Sequence, residues 1–420
     1  MGESTSPATQ PSYTIRSFEP SDRDALLSLY ETVFEKERGA DWFRWKYAEN
    51  PYVDHVPIVV AEADGELVGC RAFFALEMRV GNDCTVAFQP CDTMVHPEHR
   101  DRGLFSRMNE YALERYADGS PSLCFNFPNE SAKPGNLKHG WKEIATVPTY
   151  YRPQDPVESV KKVATDGDED DRAACDETAA NSNTAASANT AVRNDTAVTS
   201  DRQDEWVYRD LPSEGVDSDL PGNDDGIAEV LSDIITGSQL AGDTLVTQAD
   251  SEIAAIRFET PPAKVLETVY RRSIPDEIHT NRTAEFYRWR LENPARSYAT
   301  YVATRDGETP IAALVCSRVD DHLRIVETLP RAITSAQGAI NQLLAAALAD
   351  CPDRNYVTAF GETLPTPIRY RFYPDTRFPL STLEQPTALT LLARDLDRET
   401  EFEETTGDEW SLSGLDVDTS

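Results

Sequence analysis

An internal repeat is the feature of this 420-residue chain that most restricts its fold. The sequence IRSFE at residues 15–19 returns as IRFE at 256–259, and in both copies a tyrosine, Tyr30 or Tyr270, follows the phenylalanine by 12 residues. Three more pairs follow in the same order: FRW at 43–45 with YRW at 287–289, ENP at 49–51 and 292–294, and DGE at 64–66 and 306–308. Because four matches in register are hard to obtain by chance, the sequence predicts a duplicated unit of domain size.

Composition separates the two units. Residues 154–225 are dominated by Asp, Ala, Thr, Asn and Ser and contain acidic runs such as 166–171, which is typical of a disordered linker. The predicted organisation is a disordered tail at 1–12, a first unit at 13–153, an acidic low-complexity linker at 154–250, a second unit at 251–398 and a loose acidic tail at 399–420. The alternative for this last tail is that Trp410 packs back onto the protein. A chain of this length with 40% hydrophobic residues can form two packed cores.

The net charge of −33 restricts the partners of the chain. Nucleic acids and anionic membranes attract basic surfaces, so we expect neither to bind. The basic residues are 8 Lys and 32 Arg, and few lysines beside many carboxylates are typical of the solvated surface of a protein that works in high salt. The sequence therefore predicts a halophilic protein.

Cysteines and terminal residues bear on metal binding and location. The seven cysteines form no Cys-x-x-Cys pair and have no zinc-ligand spacing with histidine, so we expect neither a metal site nor a disulfide framework. The N-terminal residues lack the basic and apolar regions of an export signal, and no apolar run is long enough to span a bilayer. The expected location is the cytoplasm.

Hydrophobic periodicity predicts a mixed α/β arrangement for the first unit. Strict apolar alternation over 67–80 indicates a strand, joined to 57–63 by a tight turn at Asp64 and Gly65. A further strand over 84–95 is followed by a glycine turn and by apolar residues at helical spacing. The predicted order is strand, two helices, hairpin, strand, glycine turn, helix, strand, helix and strand.

The glycine turn predicts an anion site. Arg100, Arg102 and Gly103 directly precede the predicted helix. The unpaired N–H groups of a first helical turn attract phosphate, a glycine permits close approach of the backbone, and the two guanidinium groups add positive charge. An arginine-rich surface turn that caps an ordinary helix is the alternative interpretation.

This order of elements, with RDRGLF at residues 100–105 after the fourth strand, resembles the GNAT acyltransferase superfamily. The resemblance implies an α/β fold with a mixed sheet in each unit and acetyl-CoA as co-substrate. It also implies that the strand ending at Val95 pairs with the pantetheine arm, and that asparagines after the fifth strand, Asn126 and Asn129, bind its amides. The backbone N–H groups implied to hold the pyrophosphate, next to Arg100, belong to Asp101, Arg102, Gly103, Leu104 and Phe105. Phe105 departs from the family motif, which has Gly or Ala at that position.

Direct acyl transfer to an amine is the chemistry that the resemblance implies. Asp92, three residues before Val95, is the candidate base, and a hydrogen-bonded strand carboxylate is the alternative. Asn136 occupies the position at which family members often have a tyrosine that acts as the acid, so Tyr150 or Tyr151 is the candidate acid, with a core aromatic as the alternative. Because proline cannot donate to a sheet ladder, Pro90 predicts either a bulge or a sheet edge. The resemblance implies that this strand bulges and splays from its neighbour.

The second unit lacks the Arg-x-x-Gly pattern at 329–335, so it resembles a GNAT unit without a cofactor site. The sequence thus predicts an acyl-CoA-dependent N-acyltransferase, most simply an N-acetyltransferase, that acts on a small-molecule or peptide amine. A non-catalytic protein that senses acyl-CoA or binds a partner is the alternative. The sequence leaves the acceptor, the acyl chain length and the oligomeric state open.

Overall fold

The computed structural model describes residues 12–117, 119–128, 133–153, 253–319, 322–331, 336–352, 354, 356–377, 389–397 and 401–418. The predicted linker at 154–250 and all but the last residue of the predicted tail at 1–12 lie outside these ranges. No helix within them is long and apolar enough to cross a membrane.

The first half of the chain alternates strands and helices in the predicted order. Its strands are β1 (Tyr13–Ser17), β2 (Ile58–Ala63), β3 (Glu66–Val80), β4 (Asp83–Val95), β5 (Leu123–Asn126), β6 (Lys142–Val147) and β7 (Thr149–Pro153). Its helices are α1 (Arg23–Phe34), α2 (Ala40–Phe43), which continues as a π-helical turn over Arg44–Ala48, α3 (Leu104–Arg115) and α4 (Lys133–Lys138). The predicted turn at Asp64 and Gly65 joins β2 to β3, and both residues have positive φ, as tight hairpin turns require.

The second half repeats this order. Its strands are β8 (Ile253–Phe258), β9 (His279–Thr280), β10 (Tyr298–Arg305), β11 (Thr309–Arg318), β12 (His322–Leu329), β13 (Tyr356–Phe360), β14 (Tyr373–Pro374) and β15 (Leu389–Asp395). Its helices are α5 (Ala263–Tyr270), α6 (Ala284–Arg290), α7 (Gln337–Ala349) and α8 (Thr366–Arg369). In each half a strand pairs in parallel with the strand that follows a long helix, β4 with β5 and β12 with β13.

Two mixed sheets share one central core. The first sheet has the order β1-β2-β3-β4-β5-β15-β6, with β9 also paired to β3, and the second has the order β14-β7-β13-β12-β11-β10-β8. Apolar residues from both halves fill the core between the sheets. Separate clusters pack α3 against the opposite face of the first sheet and α7 against the opposite face of the second.

The two halves exchange strands. The sequence assigned β7 to the first unit and β15 to the second, but β7 lies between β13 and β14 while β15 lies between β5 and β6. Pro148 separates β6 from β7, so the chain leaves one sheet and enters the other at a residue that cannot donate to a ladder. Each sheet is therefore completed by a strand from the other half.

Equivalent residues of the repeat meet at the centre of the molecule. The indole Nε1 of Trp45 donates to the carbonyl oxygen of Trp289 (2.7 Å), and Nε1 of Trp289 donates to the carbonyl oxygen of Trp45 (2.8 Å). Their rings stack with centroids 6.0 Å apart. This reciprocal pair, built from the matched FRW and YRW motifs, has the self-complementary form of a two-fold interface.

The C-terminal segment differs from the loose acidic tail that its composition predicts. Trp410 is buried, and Asp416 and Asp418 have no more than 4% of their surface exposed. Cations compensate these carboxylates, since Arg282 Nη1 lies 2.8 Å from Asp416 Oδ1 and Lys46 Nζ lies 2.8 Å from Asp418 Oδ2. The acidic residues therefore belong to the shared core and tie it to both halves.

Candidate functional site

A gap opens between two central strands of the first sheet. β4 and β5 pair only where Ala87 faces Leu123 and Phe88 faces Cys124. Beyond Phe88, β4 continues to Val95 beside β3, whereas β5 continues beside β15. The predicted splay is thus present, and it begins just before Pro90, which has no N–H to extend the ladder. We call the space between the diverging ends of β4 and β5 the slot.

A β-bulge lies beside the slot. Across the β3–β4 ladder, Cys70 faces Met94 and Ala72 faces Cys91, so Asp92 and Thr93 together oppose the single residue Arg71. Asp92 has a φ of 43°, a backbone conformation that residues other than glycine seldom adopt. Bulges of this kind redirect side chains and are frequent next to functional sites.

Helix α3 begins at the open end of the slot. A 3₁₀ turn over Pro97–His99 follows β4, and Gly103 is the N-cap of α3 with a φ of 72°. A Cβ built at Gly103 would meet nothing within 4 Å, so this positive φ, and not crowding by the protein, is the reason for glycine. The first N–H groups of α3 have no acceptor within the helix and carry its positive dipole end.

The two arginines of the turn lie at the mouth of the slot. Arg102 is exposed, and its Nη2 is 3.5 Å from the carbonyl oxygen of Glu98. Arg100 is half-buried, and its Nε donates to the carbonyl oxygen of Val95 (3.3 Å). The resemblance assigned the Val95 end of β4 to the pantetheine arm, so Arg100 shares one of the backbone groups available for that pairing.

The remaining residues of the turn point in different directions. Asp101 is exposed with a φ of 61°, whereas Leu104 is buried under the sheet. The Phe105 ring lies against the guanidinium of Arg71, 5.1 Å from Cζ to the ring centroid, and 5.9 Å from the ring of His139. The ring of Phe105 therefore covers the guanidinium of Arg71.

Asn126 presents a buried donor at the end of β5. It is 5% exposed; its Oδ1 accepts from the N–H of Phe127 (2.8 Å), and its Nδ2 has no acceptor among the described residues. A buried amide donor without a partner is unfavourable by about 1–3 kcal/mol, which favours a ligand acceptor at that position. Asn129 lies outside the described residues.

The structure contains a buried charge that the sequence interpretation missed. Arg71 is 1% exposed and donates from Nη1 to Thr93 Oγ1 (3.0 Å), while its Nε has no acceptor in the described ranges. Burial lowers the pKa of its guanidinium to about 10. The available signal was a single arginine inside the apolar alternation of β3.

Asp92 lies in an enclosed polar cluster on the core side of β4. It is 2% exposed, Lys46 Nζ lies 2.7 Å from its Oδ2, and the hydroxyl of Tyr47 donates to the same oxygen. The ammonium group of Lys46 also contacts Asp418 and is itself fully buried. Burial and the neighbouring Asp92 charge raise the pKa of Tyr47 well above its usual value, so this phenol keeps its proton at neutral pH.

Tyr150 is not brought to Asp92. It belongs to β7, where it pairs with Ala359 of β13 and Pro374 of β14. Its ring packs against the α7 side of the second sheet and lies 5.4 Å from the guanidinium carbon of Arg369. The strand exchange explains this position, because β7 leaves the first sheet. The phenol that contacts Asp92 is Tyr47, in the π-helical turn that continues α2.

In the second half the equivalent strands also part, but the C-terminal segment lies at that place. β12 and β13 pair from His322 opposite Tyr356 to Ile325 opposite Ala359, beyond which β12 continues to Leu329 beside β11. Gly414 lies against Val326 of β12, and its N–H donates to Oγ1 of Thr363, which follows β13. Arg331, in the segment equivalent to the glycine turn, is turned into the core, where its Nη2 donates to the carbonyl oxygen of Ser411 (2.8 Å). In the same described ranges, no group of three or more His, Cys, Asp or Glu side chains is arranged to hold a metal ion.

Comparisons with known proteins agree with this geometry. Residues 14–144 match the family model described as an acetyltransferase (GNAT) domain. No curated protein matches the chain significantly. A solved structure of a GCN5-related N-acetyltransferase from Kribbella flavida is 13% identical, with a TM-score of 0.53, over 93% of this chain and 72% of that one.

Two further solved structures share the fold over most of both chains. A GCN5-related N-acetyltransferase from Anabaena variabilis and a probable N-acyltransferase of unknown function from Enterococcus faecalis are each 10% identical, with TM-scores of 0.52, over 92% of this chain and 73% of theirs. At such identities the likeness shows the fold alone. Residues 14–144 of the chain are a domain of the GNAT acetyltransferase family.

Proposed function

We propose that the chain is an acyl-CoA-dependent N-acyltransferase that transfers its acyl group directly to an amine. The observation that carries the proposal is the slot itself: two strands diverge after Phe88 and Cys124, and the positive end of α3 lies at its open end. The residues present suit a CoA thioester, because the buried Nδ2 of Asn126 has no acceptor in the described ranges and a Cβ at Gly103 would meet no atom within 4 Å.

The turn is proposed to hold the diphosphate of acetyl-CoA. The proposed donors are the backbone N–H groups of Asp101, Arg102, Gly103, Leu104 and Phe105, and Arg100 and Arg102 supply positive charge in a strongly acidic protein. Asn126 is proposed to donate to a pantetheine carbonyl, and Asn129 stays a candidate for the same role. When bound, the CoA thioester supplies the activated carbonyl carbon that an amine attacks.

Asp92 is proposed to receive the proton of the attacking amine, directly or through water. The hydroxyl of Tyr47 is protonated and donates a hydrogen bond to Asp92 Oδ2. The ammonium group of Lys46 forms an ion pair with the same oxygen. Tyr47 therefore replaces Tyr150 as the proposed acid: when the C–N bond forms and the C–S bond breaks, the phenol would give its proton to the leaving thiolate and regain one from Asp92.

One observation favours a non-catalytic acyl-CoA sensor as the second candidate. Asp92, Lys46 and Tyr47 are each no more than 2% exposed. An amine therefore reaches Asp92 only if the surrounding core or the C-terminal segment moves. A sensor needs the slot and the turn but no such movement.

Release of free thiol from acetyl-CoA in the presence of a panel of small amines and peptides tests the proposed function. We expect wild-type protein to release thiol with at least one acceptor, and Arg102→Glu to lose most of this activity through a higher KM for acetyl-CoA. Arg23→Glu, an equal charge change at an exposed position on α1, is the control and should retain activity. Saturable acetyl-CoA binding without thiol release by any amine would favour the sensor.

A further inference from the structure

The buried guanidinium of Arg71 has no counter-ion in the described part of the chain. Its Nη1 donates to the hydroxyl of Thr93, and the titratable neighbours that act on it are Cys70, Cys91 and Cys124. Burial of an unpaired charge is strongly unfavourable, and in folded proteins such charges are nearly always compensated. Its pKa of about 10 leaves the group cationic at neutral pH.

Arg71 lies beside the slot, on the α3 side of the first sheet. Its backbone opposes the Asp92–Thr93 bulge, and its guanidinium lies near the rings of Phe73 and Phe105, with Cζ 5.5 Å and 5.1 Å from their centroids. Arg71 is buried, whereas Arg102 is exposed on the turn beyond Val95.

A second guanidinium with buried nitrogen atoms comes from the other half of the chain. Arg394 of the exchanged strand β15 is paired with Cys124, which faces Phe88 at the last pair between β4 and β5. Its Nε and Nη1 are buried without an acceptor among the described residues. A Cβ added at Gly140 would lie 2.9 Å from Nη1, so glycine leaves this guanidinium its space.

Both arginines act on the same two neighbours. Burial raises the pKa of Cys124 to about 12, against the opposing influence of Arg71 and Arg394. Burial also lowers the pKa of His139, and Arg71 and Arg394 add to that effect. Glu110 is the carboxylate that opposes it, and Lys138 is a further nearby cation. The surroundings of Cys124 and His139 are thus cationic, although the protein as a whole carries a charge of −33.

We propose that the acyl group taken by this site carries a carboxylate, as in malonyl- or succinyl-CoA, and that Arg71, assisted by Arg394, binds it. This inference rests on the proposed function. The diphosphate already has its proposed partners in the first turn of α3 and in Arg100 and Arg102, so it does not require two further buried guanidinium groups. Uncharged pantetheine amides do not require two guanidinium groups, whereas a carboxylate matches their geometry and charge.

Equilibrium binding of CoA, acetyl-CoA, malonyl-CoA and succinyl-CoA tests this inference. For wild-type protein we expect at least one dicarboxylic thioester to bind about 10-fold or more tightly than acetyl-CoA. Arg71→Met should remove this preference and leave the dissociation constants for CoA and acetyl-CoA nearly unchanged. Arg100→Gln is the control variant and should weaken all four ligands alike.

Three outcomes would overturn the inference. Equal affinity of wild-type protein for acetyl-CoA and both dicarboxylic thioesters would contradict it while leaving the proposed function intact. Equal weakening of all four ligands by Arg71→Met would assign Arg71 to the CoA portion and would also contradict it. Failure of all four ligands to bind would contradict both the inference and the proposed function. If Arg71→Met does not fold, Thr93→Val, which removes the contact that orients the guanidinium, should reduce the same preference.

Discussion

At the scale of single residues, the core of this protein is organised around buried charges. Lys46 forms ion pairs with two carboxylates from distant parts of the chain, Asp92 on β4 and Asp418 near the C-terminus. Arg282 likewise holds Glu327 and Asp416; burial would raise the pKa of Asp416, but Arg282 and Arg331 hold it well below its usual range. Such groups are stable only as complete sets, because removal of one partner leaves the others as uncompensated charges.

Replacement of Lys46 by methionine tests this dependence. We expect Lys46→Met to lower the free energy of unfolding by about 3–5 kcal/mol, because Asp92 and Asp418 lose the cation between them. Denaturant unfolding measures the effect. Arg44→Gln, which breaks the exposed pair with Asp41, is the matched control and should change stability by less than about 1 kcal/mol. Equal effects of the two substitutions would contradict the assigned role of Lys46.

The buried imidazole of His279 predicts a pH dependence. Burial lowers its pKa to about 4, below the value of about 6.5 for an unfolded histidine. The unfolded state therefore binds the proton more readily, so the contribution of neutral His279 is complete above pH 6.5 and is lost as the pH falls toward 4. From pH 7 to pH 4, wild-type protein should lose about 3 kcal/mol more than His279→Gln. Parallel pH profiles for the two proteins would show that His279 is not the responsible group.

At the scale of elements, the start of α3 is the most constrained point of the site. Gly103 combines a positive φ with an open front face, and the helix behind it directs its first N–H groups toward that space. The same residue therefore serves the fold, through the turn, and the proposed diphosphate site, through close approach of the backbone.

Substitution of this glycine should affect stability and binding together. Gly103→Ala is expected to lower the free energy of unfolding by about 1–2 kcal/mol, because an L-residue is strained at that φ, and to weaken CoA binding at the same time. Gly338→Ala in α7, where a Cβ also meets nothing within 4 Å and no positive φ occurs, is the control. The control should be neutral or slightly stabilising. Unchanged CoA affinity in Gly103→Ala would contradict the placement of the diphosphate.

Local sequence patterns predicted the helices and strands well. They did not predict which distant strands pair with one another. The alternation of β3, the hairpin turn at Asp64 and the start of α3 after Gly103 all follow from neighbouring residues, and the structure confirms them. The partners of β7 and β15 depend on residues more than 200 positions away, which no local period records. Arg71 escaped notice for a related reason: its unpaired state depends on which side chains surround it in the folded protein.

At the scale of the whole molecule, duplication and strand exchange make the two halves mutually dependent. β15 fills the space between β5 and β6, and β7 fills the space between β13 and β14. The C-terminal segment adds Asp418 to the first half and Asp416 to the second. One half carries the proposed site, and the other completes its sheet and contributes Arg394 to it.

Separate expression of residues 1–153 tests this dependence. Without β15, strands β5 and β6 lose their shared partner and the core of the first half is uncovered, so we expect no cooperative unfolding transition. Addition of residues 251–420 as a second polypeptide should restore a cooperative transition. Circular dichroism during thermal unfolding reports both results. Cooperative folding of residues 1–153 alone would contradict the proposed dependence.

The stoichiometry of acetyl-CoA binding is the measurement that most directly tests the central claim of one cofactor slot in a duplicated chain. Isothermal titration of the full chain should give saturable binding with one acetyl-CoA per chain, because the Arg-x-x-Gly turn precedes helix α3 of the first half and the sequence lacks this pattern at 329–335. Arg102→Glu should weaken that binding without altering its stoichiometry. Two equivalent sites per chain, or no saturable binding, would contradict the account.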